Sequence, residues 1–372
     1  MMQPVEYHDT DEPAQHKRLH NFSAGPGTLP EEVLLEVKSE LPVYPDVGAS
    51  IMEISHRSPA YTEVAASARA RLRRLLGLSD DWHILFLQGG ASMQFHQVPL
   101  NFLPQGGSAD YLITGTWSQK AIKEARLLGT AREAASSEDR DFTYIPDPDT
   151  WPLDPDAAYL HFTSNNTIYG TQFRDEPQAD VPLVCDMSSD FLSRPVDLDR
   201  YGLIYAGAQK NIGPAGVTVV LIKDEFLERR NPGLPTMLDY GTHAEKLFNT
   251  PPVFAVYMVE KVLGWLEDHG GLDWIEQQND AKAAALYARL DQSDFYRGTV
   301  DDGSRSKMNV CFRLPSEELE AQFIAEAKDA GLLALKGHRS VGGIRASIYN
   351  ACPPEAVDAL ITFMDGFERQ NG

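Results

Sequence analysis

Four short stretches, Tyr159–Phe162, Val181–Cys185, Leu203–Ala206 and Val217–Ile222, are apolar almost without interruption. A strand with one wet face alternates apolar and polar residues. A continuous run needs cover on both faces, as in a mostly parallel sheet sandwiched by helices. His83–Leu87 and Ala109–Thr114 read as further strands of the same kind, and helical segments stand between them. Ser58-Pro59 caps a helix from Ala60 to Leu76 that Gly77 closes. Thr28-Leu29-Pro30-Glu31 reads as a capping box, opening a helix with Val33, Leu34, Val37 and Leu41 on one face. Trp117–Leu128 reads as a helix ended by Gly129. The expectation is an α/β fold with helices on both faces of the sheet.

The last third changes character. Two helices, Val253–Asp268 and Leu272–Asp291, lead to a strand at Lys307–Leu314, a helix from Glu317 to Ala330, short strands at Leu332–Leu335 and Gly343–Tyr349, and a final helix from Pro354 to about Glu368. That order predicts a smaller α+β unit, with its boundary near 265–275. A chain of 372 residues is long enough for two lobes and a cleft between them.

Lys and Arg number 33 against 54 Asp and Glu, a net charge of −21. A nucleic-acid binder needs a basic face, and so does a protein that docks on anionic lipid; this balance excludes both classes. A small anionic substrate stays admissible, because a local basic pocket can sit inside an acidic shell. Cys185, Cys311 and Cys352 are odd in number and far apart, which fits neither a disulfide framework nor a zinc site. The first twenty residues have no apolar core of a signal peptide, and His8, His16 and His20 stand in a polar, Pro-containing context that reads as a mobile tail rather than a metal site. The chain is expected to be soluble and cytoplasmic, without a metal.

Chemistry is concentrated in a few segments. In Tyr201–Val220 an apolar strand ends in Gly-Ala-Gln-Lys, and Asn-Ile-Gly-Pro-Ala-Gly leads into the next strand. Lys210 therefore sits in a tight turn between buried strands, where desolvation favours the neutral amine that Schiff-base chemistry needs; a plain hairpin lysine is the alternative. Asp186 ends the strand Val181–Cys185, at the edge where open α/β sheets bind ligands; a helix N-cap is the alternative. A carboxylate and a lysine so placed suit a pyridine-ring cofactor that carries an aldehyde. Gln88-Gly89-Gly90-Ala91-Ser92 precedes a helix and matches no dinucleotide or nucleotide-triphosphate pattern, but its backbone amides suit a phosphate. Trp117 could stack on an aromatic ring or belong to the core, and the same ambiguity holds for Thr167. Ser55-His56-Arg57 and Lys336-Gly337-His338-Arg339 through Gly343-Ile344-Arg345 are basic exceptions in an acidic chain, either surface ion pairs or an anion site.

Taken together, Asn21-Phe22-Ser23-Ala24-Gly25-Pro26, Ser55-His56-Arg57, Tyr205 through Gly216, Phe248-Asn249-Thr250-Pro251-Pro252, Lys336-Gly337-His338-Arg339 and Gly343 through Asn350 resemble the phosphoserine aminotransferases, class-V aminotransferases of fold type I that use pyridoxal 5'-phosphate. The resemblance runs from about residue 21 to the C-terminus. It implies a large cofactor-binding domain at 21–268, built on a seven-stranded, mostly parallel sheet, whose first residues can pack on a small α+β domain at 269–372, and a disordered tail at 1–20. It implies that Lys210 holds the cofactor aldehyde and moves the proton. Asp186 would pair with the pyridine nitrogen, Trp117 stack on the ring and Thr167 contact the phenolic oxygen. Ala91, Ser92 and Gln209 would bind the cofactor phosphate, with Asn249 and Thr250 reaching it from the neighbouring subunit of a homodimer. His56, Arg57, His338, Arg339 and Arg345 would hold the substrates, L-glutamate and 3-phosphohydroxypyruvate, in serine biosynthesis and, in relatives, in vitamin B6 (pyridoxine) biosynthesis. The chain departs from some relatives, which carry Gly-Arg where Ala91-Ser92 stand here. A serine–glyoxylate aminotransferase is the nearest rival, and the second basic cluster argues against it.

Overall fold

The computed structural model describes residues 17–372. Residues 1–16 of the expected tail, with His8 and His16, lie outside the described residues. Seven strands form the main sheet: β1 (Trp82–Leu87), β2 (Ser108–Ile113), β3 (Thr130–Ser136), β4 (Leu160–Thr163), β5 (Leu183–Asp186), β6 (Tyr201–Gly207) and β7 (Thr218–Lys223), in the spatial order β1-β7-β6-β5-β4-β2-β3. Only β7 runs antiparallel to its neighbours.

The apolar runs have the two-sided cover that their composition demands. Along β7, Val219 and Leu221 enter one core while Val220 and Ile222 enter the other. The first core is shared with the helices Pro59–Leu76 and Val253–Asp268; the second is shared with Gly90–Phe102 and Thr116–Ala125. In chain order the long helices are α1 (Glu31–Glu40), α2 (Pro59–Leu76), α3 (Gly90–Phe102), α4 (Thr116–Ala125), α5 (Val253–Asp268), α6 (Gly271–Asp291), α7 (Glu317–Asp329) and α8 (Pro354–Asn371). Ser58 caps α2 by accepting the Tyr61 amide at 3.3 Å, and Gly77 ends it in the left-handed conformation, both as the sequence predicts.

The C-terminal domain is built on β8 (Arg297–Gly298), β9 (Asn309–Arg313) and β10 (Ile344–Ser347), an antiparallel sheet covered by α6, α7 and α8. Its core takes in Phe22 from the other end of the chain, fully buried. The tail expected through residue 20 is corrected at its last residues: Arg18 donates to the Leu29 carbonyl at 2.7 Å, and His20–Asn21 pairs in parallel with Leu332–Leu333. Phe22 anchors this N-terminal segment in the C-terminal core.

Two other expectations differ. Thr28 does not cap α1; its hydroxyl donates to the Asn21 carbonyl at 2.7 Å, Pro30 holds the N-cap position, and Leu34 faces outward at 37% exposure while Val33 and Val37 are buried. The edge strand β3, sequence TAREAAS, has helix-forming composition and no strand signal. Pairing with β2 and burial of Ala131 and Ala134 override that preference.

Candidate active site

The carboxyl ends of β2, β4, β5 and β6 meet around Lys210. The turn that carries it is braced by the Ala208 amide on the Val217 carbonyl at 3.0 Å. Gly213 lets the turn lie flat on α5, since a Cβ there would stand 2.8 Å from Val259 Cγ2. The Lys210 ammonium donates to Thr167 Oγ1 at 2.6 Å. Burial pulls its pKa down to about 8, with the Arg345 charge pulling the same way and Asp186 and Asp190 opposing.

Asp186, the last residue of β5, is 4% exposed. One of its oxygens accepts the Ser188 amide at 2.9 Å, and the Ser188 hydroxyl in turn accepts the Gly207 amide at 3.1 Å, tying the carboxylate to the Lys210 strand. Burial raises the Asp186 pKa, against the Ser188 bonds and the Lys210 charge. Ser188 was not singled out from the sequence; the short Asp-Met-Ser run is a local turn signal that would have found it.

Trp117 opens α4 beyond β2. The Lys210 ammonium lies 5.7 Å from the centre of its ring, and its indole N–H is buried without a partner. Arg345 reaches the same place from β10: its guanidinium donates to the Thr167 carbonyl at 3.3 Å. Thr167 thus holds the lysine through its side chain and the arginine through its backbone. Beside Arg345 a cleft of about 640 Å³ opens between Tyr169 and the C-terminal sheet.

Across the sheet, Gly89 and Gly90 take positive φ (96° and 64°) and start α3 with no side chain capping it. The Ala91 and Ser92 end of that helix therefore presents backbone amides with no internal partner. Ala91 is half-buried and Ser92 exposed. Gln209 folds its side chain back over Gly207, where a Cβ would meet Gln209 Oε1 at 2.7 Å.

His338 and Arg339 stand on a loop that only glycine at 337 can close, since a Cβ there would fall 2.0 Å from the Gly342 carbonyl oxygen. His338 is half-buried; burial, then Arg345, Arg339 and Lys120, push its pKa down. Arg339 is exposed at the rim. Arg71, Arg132, Arg289, Arg305 and Arg313 each pair with a carboxylate, whereas Arg57, Arg339 and Arg345 have no such partner among the described residues.

His56, Arg57, Asn249 and Thr250 are not brought to Lys210 within the chain. His56 and Asn249 line a separate cavity of about 450 Å³. Asn249 donates to Gln88 Oε1 at 3.2 Å, and Gln88 donates to the Thr250 carbonyl at 2.8 Å. Arg57 is exposed.

The sequence reading assigned no role to the strap over the lysine. Residues 21–27 cross the Lys210 turn, with the Gly27 amide donating to the Gln209 carbonyl at 2.7 Å and the Ala24 carbonyl accepting the Tyr349 hydroxyl at 2.7 Å. Gly27 admits no side chain, because a Cβ would stand 2.8 Å from the Tyr349 ring and 2.9 Å from the Lys210 carbonyl.

A half-buried lysine, a buried carboxylate on the neighbouring strand and an aromatic ring beside them, at the carboxyl ends of a mostly parallel sheet, have the chemistry of enzymes that work through a lysine-bound aldehyde cofactor. The sequence matches the family Aminotransferase class-V over residues 19–360. A phosphoserine aminotransferase of Desulfatibacillum aliphaticivorans is 57% identical over 360 residues, covering 95% of this chain and 99% of the relative. The structure of the phosphoserine aminotransferase from Bacillus circulans subsp. alkalophilus superimposes with a TM-score of 0.93 at 51% identity, covering 95% and 99% of the two chains. A PLP-bound phosphoserine aminotransferase from Trichomonas vaginalis gives a TM-score of 0.90 at 40% identity, covering 94% and 100%. The chain belongs to the phosphoserine aminotransferase family of class-V aminotransferases.

Proposed function

We propose that the chain transfers the amino group of L-glutamate to 3-phosphohydroxypyruvate, giving O-phospho-L-serine and 2-oxoglutarate, with pyridoxal 5'-phosphate as cofactor. The observation that carries this reading is Thr167, which joins Lys210 on one side to Arg345 on the other. An amine and a guanidinium that has no carboxylate partner among the described residues are thereby held by one residue, which suits a substrate with an amino group and a carboxylate.

The residues fit the cofactor. The uncapped start of α3 suits its phosphate, Asp186 its pyridine nitrogen, Trp117 its ring and Thr167 its phenolic oxygen, with Ala91, Ser92 and Gln209 at the phosphate end. When bound, the cofactor supplies an electron sink for the substrate's α-carbon. The rest is the work of the chain. Desolvation keeps a fraction of Lys210 neutral near physiological pH, so that its Nζ can accept and return a proton. Thr167 holds that amine in place. Asp186, anchored by Ser188, supplies fixed negative charge in a dry site.

Arg345 is assigned to the α-carboxylate common to both substrates, and His338 and Arg339 to the distal anion, carboxylate in glutamate and phosphate in the keto acid. His56, Arg57, Asn249 and Thr250 are assigned to the neighbouring subunit's site in a homodimer, because within one chain His56 and Asn249 line a different cavity from the one beside Arg345. Arg57 among them would also offer positive charge where relatives with Gly-Arg carry an arginine and this chain has Ser92. No described helix is long and apolar enough to cross a membrane; we place the enzyme in the cytoplasm, in serine biosynthesis and in the parallel step on a phosphorylated hydroxythreonine in pyridoxine biosynthesis.

The test is a coupled assay with glutamate and 3-phosphohydroxypyruvate, run beside hydroxypyruvate. The phosphorylated substrate should be preferred by about 100-fold or more in kcat/KM, the discrimination that a built anion site confers. Equal use of the two would overturn the assignment of the distal anion.

A further inference from the structure

Lys282, on α6, is 3% exposed and has no carboxylate partner among the described residues. Its ammonium donates instead to the carbonyls of Tyr349 at 2.8 Å, Cys352 at 3.0 Å and Ile348 at 3.1 Å, with that of Asn350 at 3.5 Å. All four belong to one turn, directly after β10. A buried cation without a counter-ion is costly unless every proton finds an acceptor. The turn must therefore keep its carbonyls converged for as long as Lys282 is charged, and the cation in turn fixes the turn.

That turn touches several of the segments around Lys210. β10 carries Arg345 three residues before it. The Tyr349 hydroxyl donates to the Ala24 carbonyl in the strap and accepts from Asn309 Nδ2 at 3.2 Å. The Asn350 amide donates at 3.1 Å to the side chain of Asn211, the residue after Lys210. The Asn350 side chain donates to the Leu192 carbonyl at 2.8 Å and accepts from Asn279 at 2.9 Å. Leu192 itself takes a left-handed φ of 57°, a conformation that only surrounding contacts sustain in such a residue.

We propose that Lys282 is a positioning residue for transamination: its carbonyl cage locks the 348–352 turn, and through that turn it sets Arg345 and the Lys210 loop relative to each other. The inference rests on the assignment of Arg345 to the carboxylate shared by both substrates, and an Arg345→Ala control separates the two claims. Lys282→Met keeps the length of the side chain and removes the charge. It should raise KM for glutamate and for 3-phosphohydroxypyruvate together, by about tenfold, with kcat within about threefold, the pattern of lost carboxylate binding. In the apoprotein, Lys210 should become acylated at a higher pH, because the Arg345 charge that depresses its pKa has withdrawn; peptide-resolved mass spectrometry reads this without cofactor. Asn279→Ala loosens Asn350 and leaves the cage intact; both effects should recur in the same direction, at about threefold in KM. If Lys282→Met does not fold, Lys282→Gln, which keeps a donor toward the cage and removes the charge, is read in the same way and decides. A folded variant with a lowered melting temperature but both KM values and the Lys210 titration unchanged would overturn the proposal. If Arg345→Ala also leaves KM unchanged, the substrate assignment itself falls.

Discussion

A lysine kept partly neutral by burial strains the fold that holds it, and that strain can be measured without any assay of turnover. Burial pulls the Lys210 pKa down to about 8, against 10.5 for a free lysine. That difference corresponds to about 3 kcal/mol, the full penalty for charging it in place. The folded-state pKa is the lower one, so between pH 8 and 10.5 the unfolded chain binds more protons and stability rises with pH; below 8 the penalty is carried in full. Lys210→Met removes the charge. Its loss of the bond to Thr167 costs about 1 kcal/mol, which leaves the variant apoprotein about 2 kcal/mol more stable than the parent at pH 7. The titration part of the gap falls by about 2 kcal/mol between pH 7 and pH 9.5, so the variant's lead should shrink from about 2 kcal/mol to near zero at the alkaline end. Urea unfolding of both apoproteins at one protein concentration, at pH 7, 8, 9 and 9.5, reads the gap directly, and the Lys282 contribution cancels between them. A variant less stable at pH 7, or a gap that does not change with pH, would refute the reasoning.

Asp186→Asn keeps the Ser188 contact and removes the fixed charge; kcat should fall by at least about 100-fold with little change in either KM, read by steady-state kinetics. Gly337→Ala drives a Cβ into the Gly342 carbonyl, so the His338-Arg339 loop must open; KM for 3-phosphohydroxypyruvate should rise about tenfold while hydroxypyruvate turnover changes little. Phe22→Ala empties a fully buried site in the C-terminal core and should cost about 3–5 kcal/mol in urea unfolding, in contrast to truncation of an exposed tail residue.

The strands that build the site were legible because both faces of the sheet are apolar: Val219 and Leu221 serve one core, Val220 and Ile222 the other. β3 was not legible, because an edge strand of Ala, Arg and Glu is specified by its partner rather than by its own pattern. Lys210 and Asp186 could be read as strand-end residues flanked by glycine and serine. Ser188 had a local signal in the Asp-Met-Ser turn, whereas Tyr349 and Lys282 had none, since their roles depend on contacts between segments distant in the chain. The capping-box pattern at Thr28 failed for the same reason: the strap beside it offered the hydroxyl a better acceptor at Asn21. The charge of −21 acquires a location as well. Many arginines outside the cleft are bound to carboxylates, and Arg345, which faces Lys210, is left free for a substrate anion.

Two lysines, Lys210 and Lys282, have pKa values drawn down to about 8 by burial, so a lowered pKa alone does not single out the one that carries the cofactor. Only Lys210 stands beside Trp117, Thr167 and Asp186. Borohydride reduction of the yellow protein as purified, followed by peptide mass spectrometry, measures the choice directly. The account predicts one pyridoxyl group per chain, on Lys210, with Lys282 unmodified. A colourless protein, or a label on Lys282 or any other lysine, would contradict it.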